Sequence, residues 1–200
     1  MSSYAKKHLG DQVEIRLFKR PEKMIEAIKS DPPDVVGLGY YVWCANLNGL
    51  VFKIAKKANP AVFNIGGGPN FTTLNTTKEF AVDMFKDQPD LDAYVVNQGE
   101  RGFLELINAY IGANGNVAKV CEMIVDGCVI NGNVDTSQVQ IGEPLDALVN
   151  LEDIPSPYLT GILDEFFDEP FIPIIETNRS CPYRCTFCAW GIGTAKLRRF

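Results

Sequence analysis

The chain has 200 residues, with 19 Lys and Arg against 25 Asp and Glu, a formal net charge of −6. No long basic run offers nucleic acid an electrostatic footprint, and no stretch of about 18 uninterrupted apolar residues predicts a transmembrane segment. Met1–Gly10 lacks the apolar centre of a signal peptide, so the sequence reads as cytoplasmic.

In chain order, Val13–Phe18 alternates apolar and polar residues and predicts a strand. Pro21–Ser30 predicts a helix, with proline at its first position and apolar Met24, Ile25, Ala27 and Ile28 behind it. Asp34–Tyr41 is a nearly continuous apolar run, as expected of a strand covered on both faces. Helix is predicted over Asn46–Lys57, Thr77–Lys86 and Arg101–Ile111, and strand over Ala61–Ile65 and Ala93–Val96. Strands alternating with helices give an α/β fold, a doubly wound parallel sheet. Residues 113–170 change character: glycines punctuate short β-like pieces such as Cys128–Ile130, Asn131-Gly132 suits a hairpin turn, and the prolines of Asp153–Pro157 mark a linker. Phe171–Glu176 predicts one more strand. The expected organisation is residues 1–112 as an α/β domain, 113–170 as a small β excursion and linker, and 171–200 as the start of a second domain.

Six cysteines are present, and nothing else suggests secretion, so clustered cysteines point to metal or redox chemistry rather than disulfides. Cys181, Cys185 and Cys188 form a C-x3-C-x2-C run. Thiolates suit iron–sulfur clusters and zinc alike. Structural zinc wants four protein ligands, and the run supplies three; a zinc site would have to borrow Cys44, Cys121 or Cys128, and a Cys185–Cys188 redox pair is the remaining alternative. Three cysteines on a cubane cluster leave one iron open to a chelating molecule. Cys44, Cys121 and Cys128 lie in or beside apolar runs and read as bystander thiols.

Doubly wound sheets bind ligands at the carboxyl ends of their strands, which nominates three loops, Gly37–Asn46, Gly66–Thr72 and Asn97–Gly102. The first carries Gly39, Tyr40, Tyr41 and Trp43, aromatics suited to covering a planar ligand. The second carries Gly66, Gly67, Gly68, Pro69 and Asn70, where backbone can approach a ligand closely. The third carries Gly99 and Glu100, and Glu100 has the simpler role of favouring the start of the following helix. Taken singly, glycines after a strand also read as turns and aromatics as core.

The C-x3-C-x2-C spacing, with Phe187 before the third cysteine and Glu176–Ser180 leading in, resembles the signature of the radical S-adenosylmethionine (radical SAM) superfamily. Pro33–Gly37, Gly66–Pro69 and Asn97–Glu100, in that order and ahead of such a loop, resemble the cobalamin-binding domain preceding many of these enzymes. The resemblance implies a flavodoxin-like cobalamin-binding sheet followed by the first β-strand and cluster loop of a radical SAM β/α barrel. It implies a 4Fe-4S cluster on Cys181, Cys185 and Cys188, with S-adenosylmethionine on the open iron and Phe187 near its adenine. Reductive cleavage would then give a deoxyadenosyl radical, used either for methyl transfer to an unactivated carbon with cobalamin as methyl carrier or for ring formation or rearrangement. Expected partners are a small-molecule or lipid-like substrate and an electron donor such as flavodoxin or ferredoxin. The D-x-H-x-x-G motif that supplies a cobalt-ligating histidine in some cobalamin proteins is absent, and His8 reads as a surface residue at a helix end. Asn97-Gln98-Gly99-Glu100-Arg101 replaces a more acidic family run. Against the family pattern the first strand of the sheet and most of the barrel are missing, so the chain reads as a fragment, inactive alone. The alternatives are a radical SAM enzyme whose front domain does not bind cobalamin, and a non-catalytic zinc-binding module.

Overall fold

The alternation of apolar runs and amphipathic stretches folds into a five-stranded sheet of order β1-β2-β3-β4-β5. The computed structural model describes residues 1–70, 77–133, 138–168, 170–179, 181, 183, 185–188 and 198–199. They fall into two compact units, one of Met1 with Glu14–Leu145, the other of Ser2–Val13 with residues 146–200.

In the first unit, β1 (Val35–Gly39), β2 (Phe63–Gly67) and β3 (Ala93–Val95) run parallel. The sheet is completed by β4 (Cys128–Asn133) and β5 (Gln138–Ile141), each antiparallel to the strand before it. The residues expected as a β excursion are therefore part of this sheet, which is mixed rather than purely parallel. Asn131-Gly132 is not the hairpin turn. Asn131 pairs with Val139 and Asn133 with Gln138, so Gly132 is an extra residue bulged within β4. A Cβ there would lie 2.8 Å from the Gln138 carbonyl oxygen, which glycine alone avoids. Residues 134–137, between the two strands, lie outside the described residues.

Helices cover both faces. Val36, Tyr94 and Val129 point to one face, where α2 (Pro21–Ser30), α3 (Ala45–Ala58) and α4 (Lys78–Asp87) bury Ile28, Phe52, Ala55 and Phe85. Full burial of each phenylalanine contributes about 1.5–3 kcal/mol. The other face receives α5 (Gly99–Gly112): the rings of Phe63 and Tyr110 stack 5.6 Å apart at 5°, and a Cβ at Gly102 would sit 2.8 Å from Val95 Cγ1. Caps set the boundaries: Thr77 Oγ1 accepts from Phe80 N at 3.2 Å to start α4, and Asn116 Oδ1 accepts from Lys119 N at 3.1 Å to start α6 (Val117–Cys121).

Val13–Phe18 does not form the expected strand. It has the alternation, with Glu14 and Arg16 exposed and Val13, Ile15 and Leu17 half-buried. A strand also needs a ladder, and no strand pairs with it among the described residues. Among the described residues β1 has a strand on one side only.

Beneath the amino ends of β2 and β3, Lys56 Nζ lies 2.9 and 2.8 Å from the two carboxylate oxygens of Asp92 and donates to Val62 O at 2.8 Å. Asp92 Oδ2 also accepts from Asn64 N at 2.7 Å. Burial pushes the Asp92 carboxyl up, and Lys56 works against that shift. Lys56→Met would strand a buried carboxylate, and urea denaturation at pH 7 is expected to show a loss of about 3 kcal/mol. With its pKa raised, native Asp92 binds a proton before the unfolded chain does, so the penalty shrinks as pH falls. A loss independent of pH would refute this account of the pair.

In the second unit, α1 (Ser2–Leu9) carries exposed His8 in its last turn. Ser3 Oγ donates to Pro155 O at 2.8 Å and Lys7 Nζ to Asp153 O at 2.8 Å, tying the proline segment to this helix. Phe171–Glu176 is not a strand either. No strand pairs with it among the described residues, Pro173 withholds a donor, and Ile172, Ile174 and Ile175 are exposed. The expected first strand of a barrel is thus not formed; the nearest ladder is the short antiparallel pair β6 (Asn178–Arg179) and β7 (Arg198–Arg199). No described helix is long and apolar enough to cross a membrane.

Candidate functional site

Parallel pairing sends β1, β2 and β3 out at one edge, so their following loops emerge together. The backbone stitches two of them there, with Tyr40 N donating to Gly67 O at 2.7 Å and the Tyr94 hydroxyl to Gly68 O at 3.0 Å.

The aromatics of the first loop divide. Tyr40 continues the parity of Val36 and Leu38 and is buried in the core, its ring 5.8 Å from that of Tyr94. Burial pushes its hydroxyl pKa up. Tyr41 and Trp43 turn outward and stack on each other 4.8 Å apart at 16°, with Trp43 80% exposed. Exposed Gly39 offers its carbonyl to Asn48 Nδ2 at 3.0 Å. Cys44, at the N-cap of α3, accepts from Tyr41 N through Sγ at 3.3 Å.

The glycines of the second loop differ in what holds them. Gly68 has φ +142°, and a Cβ there would lie 2.8 Å from Tyr40 O. A Cβ on Gly66 would meet the Tyr94 ring at 3.0 Å. Both are glycine because this fold requires it. Gly67 is buried, yet a Cβ on it would make only ordinary contact, 3.5 Å from Val95 Cβ. Pro69 is exposed and Asn70 half-buried, and residues 71–76 of this loop lie outside the described residues.

In the third loop Asn97 adopts φ 60°, and Glu100 is buried in the first turn of α5. A Cβ on Gly99 would strike the Met1 side chain. Among the described residues, Gln98 Oε1 is buried without a partner. Sequence reasoning missed it, because nothing local marks a glutamine as unsatisfied. Asn64 Oδ1 is likewise unpartnered, but its amide nitrogen serves Phe52 O and Asp90 O, at 3.2 and 2.8 Å. At the ligand end, then, the sheet presents an orphaned acceptor, a glycine its own packing does not require, and an exposed aromatic pair. These features fit a large planar ligand with amide donors, such as a corrinoid.

In the second unit, Cys181 and Cys188 are half-buried, Cys185 is exposed, and all three are free thiols. Cys188 N donates to Cys185 O at 3.1 Å, closing a turn that leaves Phe187 91% exposed. No group of three or more His, Cys, Asp or Glu is gathered to hold a metal among the described residues, so the donor set suits a cluster while its geometry here is not assembled. Residues 180, 182, 184 and 189–197 of this loop lie outside the described residues. Burial pushes Cys121 up to about 11, and pushes buried Cys128 up too while its Sγ donates to Gly102 O at 3.4 Å. Both resist becoming the thiolate a metal needs.

No family model matches the chain. It is 28% identical over 91% of its length to 2-(S-pantetheinyl)-carbapenam-3-carboxylate methyltransferase of Streptantibioticus cattleyicolor, and 30% identical over 84% to the cobalamin-dependent radical SAM methyltransferase TokK of Streptomyces tokunonensis. An uncharacterized methyltransferase of Pyrococcus horikoshii is 29% identical over 86% of the chain. The chain spans 26%, 24% and 35% of these relatives. Motif order and these similarities agree: the chain is related to the cobalamin-dependent radical SAM methyltransferases.

Proposed function

We propose that this chain contributes the cobalamin-binding unit and the cluster loop of a cobalamin-dependent radical SAM enzyme that transfers methyl to an unactivated carbon. The observation that carries the reading is the C-x3-C-x2-C run behind an α/β sheet whose ligand edge has Gly67 and Gln98 unexplained by its own packing. When bound, the cluster supplies the electron that cleaves the sulfonium carbon–sulfur bond of S-adenosylmethionine, and cobalamin supplies a methyl carrier.

Each named residue then has a task. Cys181, Cys185 and Cys188 would hold the cluster as thiolates. Phe187 would give the adenine an apolar neighbour. Gly67 would leave room for the ligand's tail beside the sheet, Gln98 Oε1 would accept from a ligand amide, and Tyr41 with Trp43 would offer the corrin an aromatic surface. The substrate is a small or lipid-like molecule, and a flavodoxin- or ferredoxin-type protein delivers electrons.

A second reading, a radical SAM enzyme whose front unit carries no cobalamin, draws on Gly66 and Gly68, which the fold itself requires. Anaerobic reconstitution of the full-length protein with iron, sulfide and hydroxocobalamin, followed by gel filtration, separates the two. The expected product is brown, retains corrinoid and cleaves S-adenosylmethionine under reduction. A brown, active protein without corrinoid selects the second reading, and a colourless zinc protein overturns both.

A further inference from the structure

The segment between Asp153 and Ile174 is more than a linker. Ser156 builds a tight turn: its carbonyl accepts from Thr160 N at 3.1 Å and Thr160 Oγ1 at 3.0 Å, and its Oγ accepts from Leu159 N at 3.4 Å. Pro155, immediately before it, is held by Ser3 of α1. Tyr158 stands in this turn, its ring 6.2 Å from that of Phe167. Its hydroxyl meets one residue twice, donating to Ile174 O at 2.9 Å and accepting from Ile174 N at 3.1 Å. The two groups of a residue that point to one side of an extended chain normally pair with a neighbouring strand. Here one side chain satisfies both. Two residues further on, Glu176 Oε2 lies 3.0 Å from both Nε and Nη2 of Arg179, and Cys181 comes two residues after that arginine.

We infer that Tyr158 is a positioning residue: anchored through the Ser156 turn to α1, it fixes the extended segment that carries the cysteine loop, and so fixes where Cys181 begins. The inference rests on the proposed role of that loop. The contacts belong wholly to the second unit, and each lies on described residues.

Tyr158→Phe removes both hydrogen bonds and little volume. In the 200-residue chain, amide exchange at Ile174 is expected to quicken roughly three- to tenfold, the worth of an ordinary hydrogen bond. In the full-length, cluster-loaded enzyme, iron content is expected to stay unchanged while S-adenosylmethionine cleavage falls about tenfold, because small misplacement of reacting groups is costly. The electron paramagnetic resonance signal of the reduced cluster with S-adenosylmethionine bound is expected to shift. Ser156→Ala, which loosens the turn by removing the acceptor of Leu159 N but keeps the Tyr158 hydroxyl, should do the same more weakly. Unchanged exchange at Ile174 overturns the clamp. Faster exchange with unchanged cleavage and spectrum overturns the positioning role, as does loss of iron in step with melting temperature. A wild-type protein that assembles no cluster brings down the reading of the loop, and the role of Tyr158 with it, while the exchange result stands by itself, so the two failures are told apart.

Discussion

Replacing Cys181, Cys185 or Cys188 with alanine in the full-length protein is expected to abolish cluster assembly and reduce S-adenosylmethionine cleavage to background. Each thiolate carries one corner of the cluster, and the three stand within eight residues, with no other cysteine or histidine in the sequence from residue 129 to 200. The sequence around the loop therefore offers no second thiolate or imidazole for a lost corner. Cys44→Ala, Cys121→Ala and Cys128→Ala are expected to keep both iron and cleavage. Cys44 already bonds the Tyr41 and Gly39 backbone, and burial holds Cys121 and Cys128 protonated. Iron analysis with single-turnover cleavage decides the matter. A variant of the second group that loses iron, beside one of the first that retains it, would falsify the ligand assignment.

Gly67→Leu is expected to abolish corrinoid retention and leave the cluster intact. The neighbouring glycines make poor tests, since Gly68 with φ +142° and Gly66 against Tyr94 are demanded by the fold. At Gly67 a Cβ meets only ordinary contact, so Gly67→Ala should fold as the parent does and serves as the control. Leucine extends into the space assigned to the ligand. Overpacking of a closed site costs about 1–3 kcal/mol, roughly five- to 150-fold in affinity, and loss of the ligand on gel filtration is the expected result. Leucine and alanine variants that both retain full corrinoid would remove Gly67 from the site.

The parts of this molecule legible in its sequence are those whose signals are local. Proline at the first position of α2 sets its start, and the helix spans Pro21–Ser30 as the pattern predicts. The apolar runs that became β2 and β3 are buried along their whole length, and so carry their own label; β1 has the same apolar run but leaves Gly37 and Gly39 exposed on one face. Val13–Phe18 and Phe171–Glu176 have the composition of strands but no ladder, because pairing depends on a partner the segment itself does not encode. Asn131-Gly132 has the residues of a turn, yet the same glycine serves as a bulge once β5 sets the register. At the ligand edge, the parity of β1 carried one residue on already separates Tyr40 from Tyr41, a signal that a count of aromatics passes over. Lys56 and Asp92, 36 residues apart, and Tyr158 with Ile174 are joined only by tertiary structure.

The division of the chain into units also sets an order in time. Glu14–Leu145 is continuous in sequence, and the two pieces of the other unit come before and after it along the chain. Ser3 and Pro155 are 152 residues apart. A polypeptide made from its amino end first has every strand of the sheet available for pairing while α1 still waits for Asp153 and Pro155 to be synthesised. If the sheet closes at once, the loop that α1 must then close is a folded body with short tails rather than a long flexible chain, and the entropy of joining its ends is correspondingly smaller.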